Sequence, residues 1–189
     1  MKRTILLLTF AMICCASMAQ VIRLDNSHYT VWYNPRTCNA ERVTWCVVPA
    51  QLGSNSRDKA GTFRQDSRVP KPRAKSGHYT NSGYQRGHLC PSADFTASVS
   101  SMKETFILSN IVPMTPRLNT IRWKGTETAT RILARLHHGV RVWVWTFIAQ
   151  PDTTYLPGSP VAIPTSFAKQ VYTMDTDSLL MEWSFTNDF

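Results

Sequence analysis

The chain has 189 residues, 43% of them hydrophobic, and a formal net charge of +9 from 21 Lys and Arg against 12 Asp and Glu. That length suits one domain with one sizeable core, and the ordinary hydrophobic share excludes both a disordered chain and a membrane bundle. The basic excess fits a polyanionic partner.

Lys2 and Arg3 precede an apolar run, residues 5–16, that is too short to span a bilayer comfortably, and Ser17-Met18-Ala19 is a small-x-small cleavage pattern. Residues 1–19 therefore read as a signal peptide cleaved near Ala19, and 20–189 as a single secreted or periplasmic domain. Lipoprotein anchoring through Cys14 or Cys15 is the lesser alternative, because Ile13 is not a small residue. Export favours disulfides, and Cys38 and Cys46, which flank a short polar turn, are candidates for one. Cys90 is then the odd thiol, and burial suits it better than catalysis. The chain holds no Cys-x-x-Cys or His-x-x-x-His pair of the kind a structural zinc site uses.

Residues 29–34 alternate and are rich in aromatic and β-branched side chains, so they predict a strand. Residues 42–48 predict its hairpin partner, ended by Pro49. Residues 50–82 are Ser, Gly, Pro and basic residues, a long loop of the kind that is usually functional or disordered. Residues 101–105 suggest a helical turn, and residues 106–110 a buried strand, with Pro113 and Pro116 breaking the chain after it. Ile121, Ala129, Ile132, Leu133 and Leu136 recur at helical spacing. His137-His138-Gly139 ends that helix, its two histidines favoured by the dipole rather than acting as ligands. Residues 140–149 predict a strand buried on both faces. Residues 161–163, 167–173 and 179–185 predict further strands.

Chemistry concentrates in Ser82-Gly83-Tyr84-Gln85-Arg86-Gly87-His88-Leu89-Cys90-Pro91. Glycines on either side of a polar cluster let the backbone turn and approach a ligand closely. Arg86 is a permanent fork-shaped cation suited to phosphate, and His88 can take a proton near neutrality. A surface turn with a solvated His would explain these ten residues equally well. The charge distribution favours chemistry: residues 57–86 hold eight Lys or Arg against two Asp, residues 98–141 seven against two, and residues 142–189 one against five. The basic excess thus surrounds the motif, where each neutralised phosphate would release counterions.

The stretch from Tyr84 to Asp94 resembles the signature of the DNA/RNA non-specific endonucleases, in which Asp-Arg-Gly-His is usual and Gln85 here replaces the Asp. Residues 106–113, through Asn119, Trp123 and Glu127, resemble that family's metal-binding helix, and residues 161–164 with Phe167 and Lys169 a late core strand. Arg57, Phe63 and Asp66 resemble an Arg…Phe…Asp pattern of the family with stretched spacing. The resemblance implies an α+β, ββα-metal nuclease fold with a central antiparallel sheet flanked by helices. It also implies Asn119 as the metal ligand and 5′-phosphate products. One neutral oxygen ligand suits Mg²⁺, which keeps its waters, with Mn²⁺ or another divalent cation as substitutes.

On this reading His88 is the general base and Arg86 braces the phosphate. Glu127, eight residues after Asn119 on nearly the same helix side, holds metal-bound water. Arg57 and Arg122 are candidates for phosphate contact. The bland readings are an i,i+4 pair with Arg131 for Glu127, a helix cap for Asn119, core packing for Trp123 and solvation for Arg57. Gln85 keeps hydrogen bonding but loses charge, so it predicts either a retuned nuclease or an inactive binder. The expected function is a sequence-non-specific, metal-dependent endonuclease on DNA and RNA, with a catalytically weak or inactive polyanion-binding protein as the alternative. A homodimer, an inhibitor and, for an antibacterial toxin, an immunity protein are partners on which the sequence is silent.

Overall fold

The computed structural model describes residues 20–189, so the signal-peptide reading of residues 1–19 lies outside the described residues. A six-stranded antiparallel sheet runs in the order β1-β2-β3-β6-β7-β8, formed by β1 (Ile22–Asp25), β2 (Tyr29–Asn34), β3 (Asn39–Val47), β6 (Val140–Phe147), β7 (Ser166–Thr173) and β8 (Leu179–Thr186). A separate two-stranded ribbon pairs β4 (Gln85–His88) with β5 (Ile111–Met114), in register Gln85 with Met114 and His88 with Ile111. The helices are α1 (Val99–Glu104) and α2 (Lys124–Leu136). The ribbon followed by α2 makes a ββα unit beside the main sheet, the α+β arrangement expected. Among the described residues no helix is long and apolar enough to cross a membrane.

The inner face of the sheet makes the core. Val31, Tyr33, Val43, Val47, Val140, Val142, Val144, Phe167 and Val171 are buried, one from every second position of their strands. The strand at 140–149 is not buried on both faces as its composition suggested. Its outward side chains Arg141, Trp143 and Trp145 are partly exposed and Phe147 is half exposed. They lie beside Trp32 of β2 and Arg42 of β3, whose guanidinium sits 4.3 Å from the Trp32 ring centroid. The tryptophans thus satisfy an aromatic–cation ladder on the outer face, a use that periodicity does not distinguish from core.

The helix differs more. Ile121, Ile132 and Leu136, expected to face the core, are 67%, 53% and 68% exposed, and the buried face is Trp123, Thr126, Thr130 and Ala134. Hydroxyls fill this face because each returns its proton to the helix: Thr126 Oγ1 donates to Trp123 O and Thr130 Oγ1 to Thr126 O, both at 2.8 Å. The segment before α2, Leu118–Trp123, is a π-helical stretch. Asn119 therefore lies inside a wider helical turn and is not the helix cap.

The predicted strand over 106–110 is also displaced. Residues 108–110 form a short 3₁₀ turn and the strand begins at Ile111, with Pro113 inside it opposite Arg86. An edge strand tolerates a proline, which has no N–H to give. The outer side of β5 is closed by one amide: Asn187 Nδ2 donates to Pro113 O and Pro164 O, and Asn187 Oδ1 accepts from Thr115 N.

The two cysteines considered for a disulfide are free. Cys38 stands just before β3 and Cys46 near its far end, so extended backbone holds them about 25 Å apart. Cys90 is fully buried, its backbone held by the Asn110 side chain at both N–H and C=O.

Gly87 makes the ribbon possible. A Cβ there would lie 2.5 Å from Met114 Cγ and Sδ, and Met114 is fully buried. Gly87→Ala should therefore cost about 1–3 kcal/mol of unfolding free energy. In a Met114→Ala background the same change should cost measurably less. Equal costs by denaturant melts would show that the close approach is not what selects glycine.

Candidate active site

The motif strand, the π-helical stretch and the first turn of α2 converge on an open cleft of about 350 Å³, lined among others by Arg57, Arg86, His88, Asn119, Lys124 and Glu127. Larger hollows lie on and beside the outer face of the sheet, away from these groups. Five of the residues singled out from the sequence thus meet in one place. Gln85 stands behind them, bonded to Asn119. Arg122 does not join them: its guanidinium lies 4.7 Å from the Phe185 ring centroid and lines no part of the cleft. Helical periodicity places a side chain on a face, and the π-type turn moves that face.

His88 is fixed through its backbone. Its carbonyl accepts the Trp123 indole N–H at 2.9 Å, and Trp123 is fully buried against Phe167. The imidazole lies between Phe63 and Phe106, at centroid distances of 5.5 and 4.7 Å. Nε2 is enclosed and has no protein partner. Burial, then the positive charge of Arg57, lowers the His88 pKa to about 3. The ring is therefore neutral at physiological pH with neither nitrogen committed to a protein hydrogen bond, which suits a proton acceptor.

Arg86 is held rather than free. Its Nε donates to Ser76 Oγ at 3.0 Å and its Nη2 to Thr80 Oγ1 at 3.1 Å, while the guanidinium lies over the Tyr79 and Phe63 rings. The loop 76–80 therefore sets this cation, and Nη1 has no protein partner among the described residues. Arg57, for which solvation was the simpler reading, instead lies 5.0 Å from the Phe106 ring centroid and lines the cleft. Phe63 walls the imidazole, and the buried Asp66 accepts from Arg68 at 2.7 Å and from Ser109 Oγ at 2.7 Å, anchoring the long loop. Burial opposes ionisation of Asp66, but the bonds from Arg68 and Ser109 outweigh it and lower its pKa.

Asn119 Nδ2 donates to Gln85 Oε1 at 2.7 Å. The amide in the place of a carboxylate thus keeps the acceptor that orients Asn119 and leaves Asn119 Oδ1 as the uncommitted atom. Among the described residues no cluster of three or more His, Cys, Asp or Glu could cage a metal ion. One amide oxygen beside a carboxylate, in a cleft open to water, fits a hard cation that retains most of its water shell and does not fit a zinc-type cage.

Glu127 does not pair with Arg131. Arg131 Nη1 reaches the buried Asp94 at 3.1 Å instead, and Asp94 also accepts the Trp45 indole N–H at 2.9 Å. Burial raises the Glu127 pKa, and Lys169 is the leading charge opposing that rise. Sequence reasoning gave no role to Lys124, which shares the cleft, or to Asp94. It placed Asn110 in a strand, whereas its side chain clamps Cys90 and Thr105. A lone buried Asn carries no sequence signal beyond its type.

The ribbon thus presents a His to an Asn and a Glu carried by the helical stretch that follows it, with Arg57, Arg86 and Lys124 beside them. Residues 10–187 match the DNA/RNA non-specific endonuclease family, and the chain belongs to it. It is 36% identical over 115 residues to mitochondrial endonuclease G of Homo sapiens, covering 60% of this chain and 39% of that protein. It is 31% identical over 156 residues to a nuclease of Nostoc sp., covering 79% of this chain and 54% of that one. The chain therefore spans about half or less of the length of these curated relatives. A solved structure described as the EndoG/EndoGI complex superposes with a TM-score of 0.79 at 24% identity, over 88% of this chain and 74% of that one, a likeness of fold.

Two measurements test this geometry. The unfolded chain takes up a proton at His88 below about pH 6.5 that the folded chain refuses until about pH 3. The stability this depressed pKa contributes is thus complete above pH 6.5 and is lost as pH falls through that window. His88→Ala should reduce the slope of unfolding free energy against pH there, by up to one proton. An unchanged slope would place the imidazole in solvent. Separately, Gln85→Leu should weaken Mn²⁺ binding, read by paramagnetic resonance, about 10–100-fold, while Gln85→Asp retains it. Equal affinity in the Leu variant would remove Gln85 from the site.

Proposed function

We propose that residues 20–189 form a sequence-non-specific, divalent-cation-dependent endonuclease that hydrolyses phosphodiester bonds of DNA and RNA. The observation that carries this is the convergence of a neutral, uncommitted imidazole, an oriented Asn119 amide and three cations, Arg57, Arg86 and Lys124, on one cleft. The fragmentary coverage of the relatives makes the activity a reading of this chain's own residues rather than a transfer from theirs.

His88 takes the proton of the attacking water. A base with a pKa of about 3 is weak, but an anionic phosphodiester beside Arg57 offsets the cationic part of that depression and strengthens the base when substrate is bound. Arg86, held by loop 76–80, braces a non-bridging oxygen. Arg57 and Lys124 extend the positive lining along the backbone, contacts that carry no base code. A Mg²⁺ ion, or Mn²⁺ in its place, would be held through Asn119 Oδ1, with Glu127 bonding its water. Such an ion supplies charge neutralisation and a more acidic water near the leaving oxygen. Export after cleavage near Ala19 remains part of the proposal, supported by the pattern of residues 1–19.

The alternative, a polyanion binder without catalysis, has the basic lining in its favour but leaves the orientation of Asn119 by Gln85 without a use. Plasmid nicking with Mg²⁺ decides between them. We expect cleavage abolished by chelator and reduced about 10²–10⁴-fold in His88→Ala. Binding that survives chelation with no nicking in any divalent metal would establish the binder instead.

A further inference from the structure

Lys169 has no place in the chemistry just described, yet it is 1% exposed and lies under the cleft. It projects inward from the middle of β7, opposite Val144. Its ammonium sits 3.9 Å from the Trp123 ring centroid and makes one protein hydrogen bond, to Thr126 Oγ1 at 2.9 Å. Trp123 is the residue whose indole holds the His88 carbonyl, and Thr126 immediately precedes Glu127. A buried lysine is costly, and a core that only needed filling would hold an apolar side chain here.

No direct ion pair joins Lys169 to Glu127 within 4 Å, so the charge acts across space. Glu127 is faced by Lys124 and Arg131 from its own helix, by Asp94 from the turn after Pro91 and by Lys169 from the sheet. Across the cleft stand Arg57, Arg86 and His88. After burial, Lys169 is the largest influence on its ionisation, and reciprocally Glu127 is the largest charge sustaining Lys169 as a cation. Burial, opposed by Glu127, Asp94 and Cys90, lowers the Lys169 pKa to about 8, so it is predominantly charged at neutral pH. Of the two cations that face Glu127 from its own helix, Arg131 is taken up by Asp94, and Lys124 is the weaker influence.

We propose that Lys169 is a positioning residue of the cleft: its ammonium ties the first turn of α2 to the sheet, seats the indole that carries His88, and supplies the positive charge against which Glu127 stands as a carboxylate. This rests on the reading of Glu127 as a participant in the cleft chemistry. It adds a requirement that no surface view of the site would suggest, because the group responsible never touches substrate.

A double-mutant cycle with Lys169→Met and Glu127→Gln tests it. Lys169→Met should lower kcat about tenfold or more, leave KM within about threefold, and move the acid limb of the kcat profile upward, because the charge opposing the rise of the Glu127 pKa is gone. In the Glu127→Gln background the same change should cost less than about threefold. Equal cost in both backgrounds would reduce Lys169 to core packing. A second readout needs neither cleavage nor a variant that folds. In the cation-free wild-type protein, the Glu127 carboxyl carbon, followed by NMR, should show a second inflection at the pH where the Lys169 Nζ resonance titrates. Independent titrations would overturn the proposal. A protein inert toward plasmid but with coupled resonances would sink the enzymatic reading alone.

Discussion

The bond from the Trp123 indole to the His88 carbonyl joins the two halves of the cleft. Without it, the ribbon and the helix are separate elements meeting only through side chains. With it, the imidazole on β4 has a fixed height above the helix that carries Asn119 and Glu127. The donor is fully buried, and leaving it unpaired there would cost about 1–3 kcal/mol. Much else serves that indole: Phe167 packs on one side, the Lys169 ammonium on its ring, and the Thr126 hydroxyl on its carbonyl. The stacking of a cation on a ring that itself donates a proton gives the bond an electrostatic setting as well as a steric one.

Two kinds of environment have been built within one small cleft. The imidazole borders the cleft but is walled by Phe63 and Phe106, has its Nε2 enclosed, and is kept neutral. The Glu127 carboxyl, at the other side of the cleft, is partly buried too, but it feels the charge of the buried Lys169. Burial alone would push both groups toward neutrality, which serves a base and defeats a charged hydrogen-bond acceptor. One lysine therefore separates the roles of two groups that desolvation treats alike.

The sequence made the chemistry more legible than the packing. Arg86, His88, Asn119 and Glu127 were readable because their types and spacing carry a resemblance, and Arg57 because it opens a pattern that Phe63 and Asp66 complete. The faces of α2 were misread because the apolar period of Ile121, Ile132 and Leu136 is real but points outward, while threonines that bond their own helix occupy the core side. The strand at β5 was misplaced because Pro113 reads as a breaker, although an edge position opposite Arg86 accepts it. Tryptophans on β6 suggested a buried strand, because nothing local in sequence shows that Arg42, a hundred residues away, will lie over both Trp143 and Trp32 on the outer face. The Cys38–Cys46 proximity in sequence likewise became separation once both lay along one extended strand.

Asn187 has a bearing on solubility. A two-stranded ribbon ordinarily offers unpaired peptide groups to any passing strand, a route to runaway association. Here Pro113 has no proton to offer, and its oxygen, together with the neighbouring amide of Thr115, is already occupied by one side chain. A single carboxamide thus acts as a stopper, sealing the motif-bearing ribbon against foreign β-structure while leaving its other side open to the cleft.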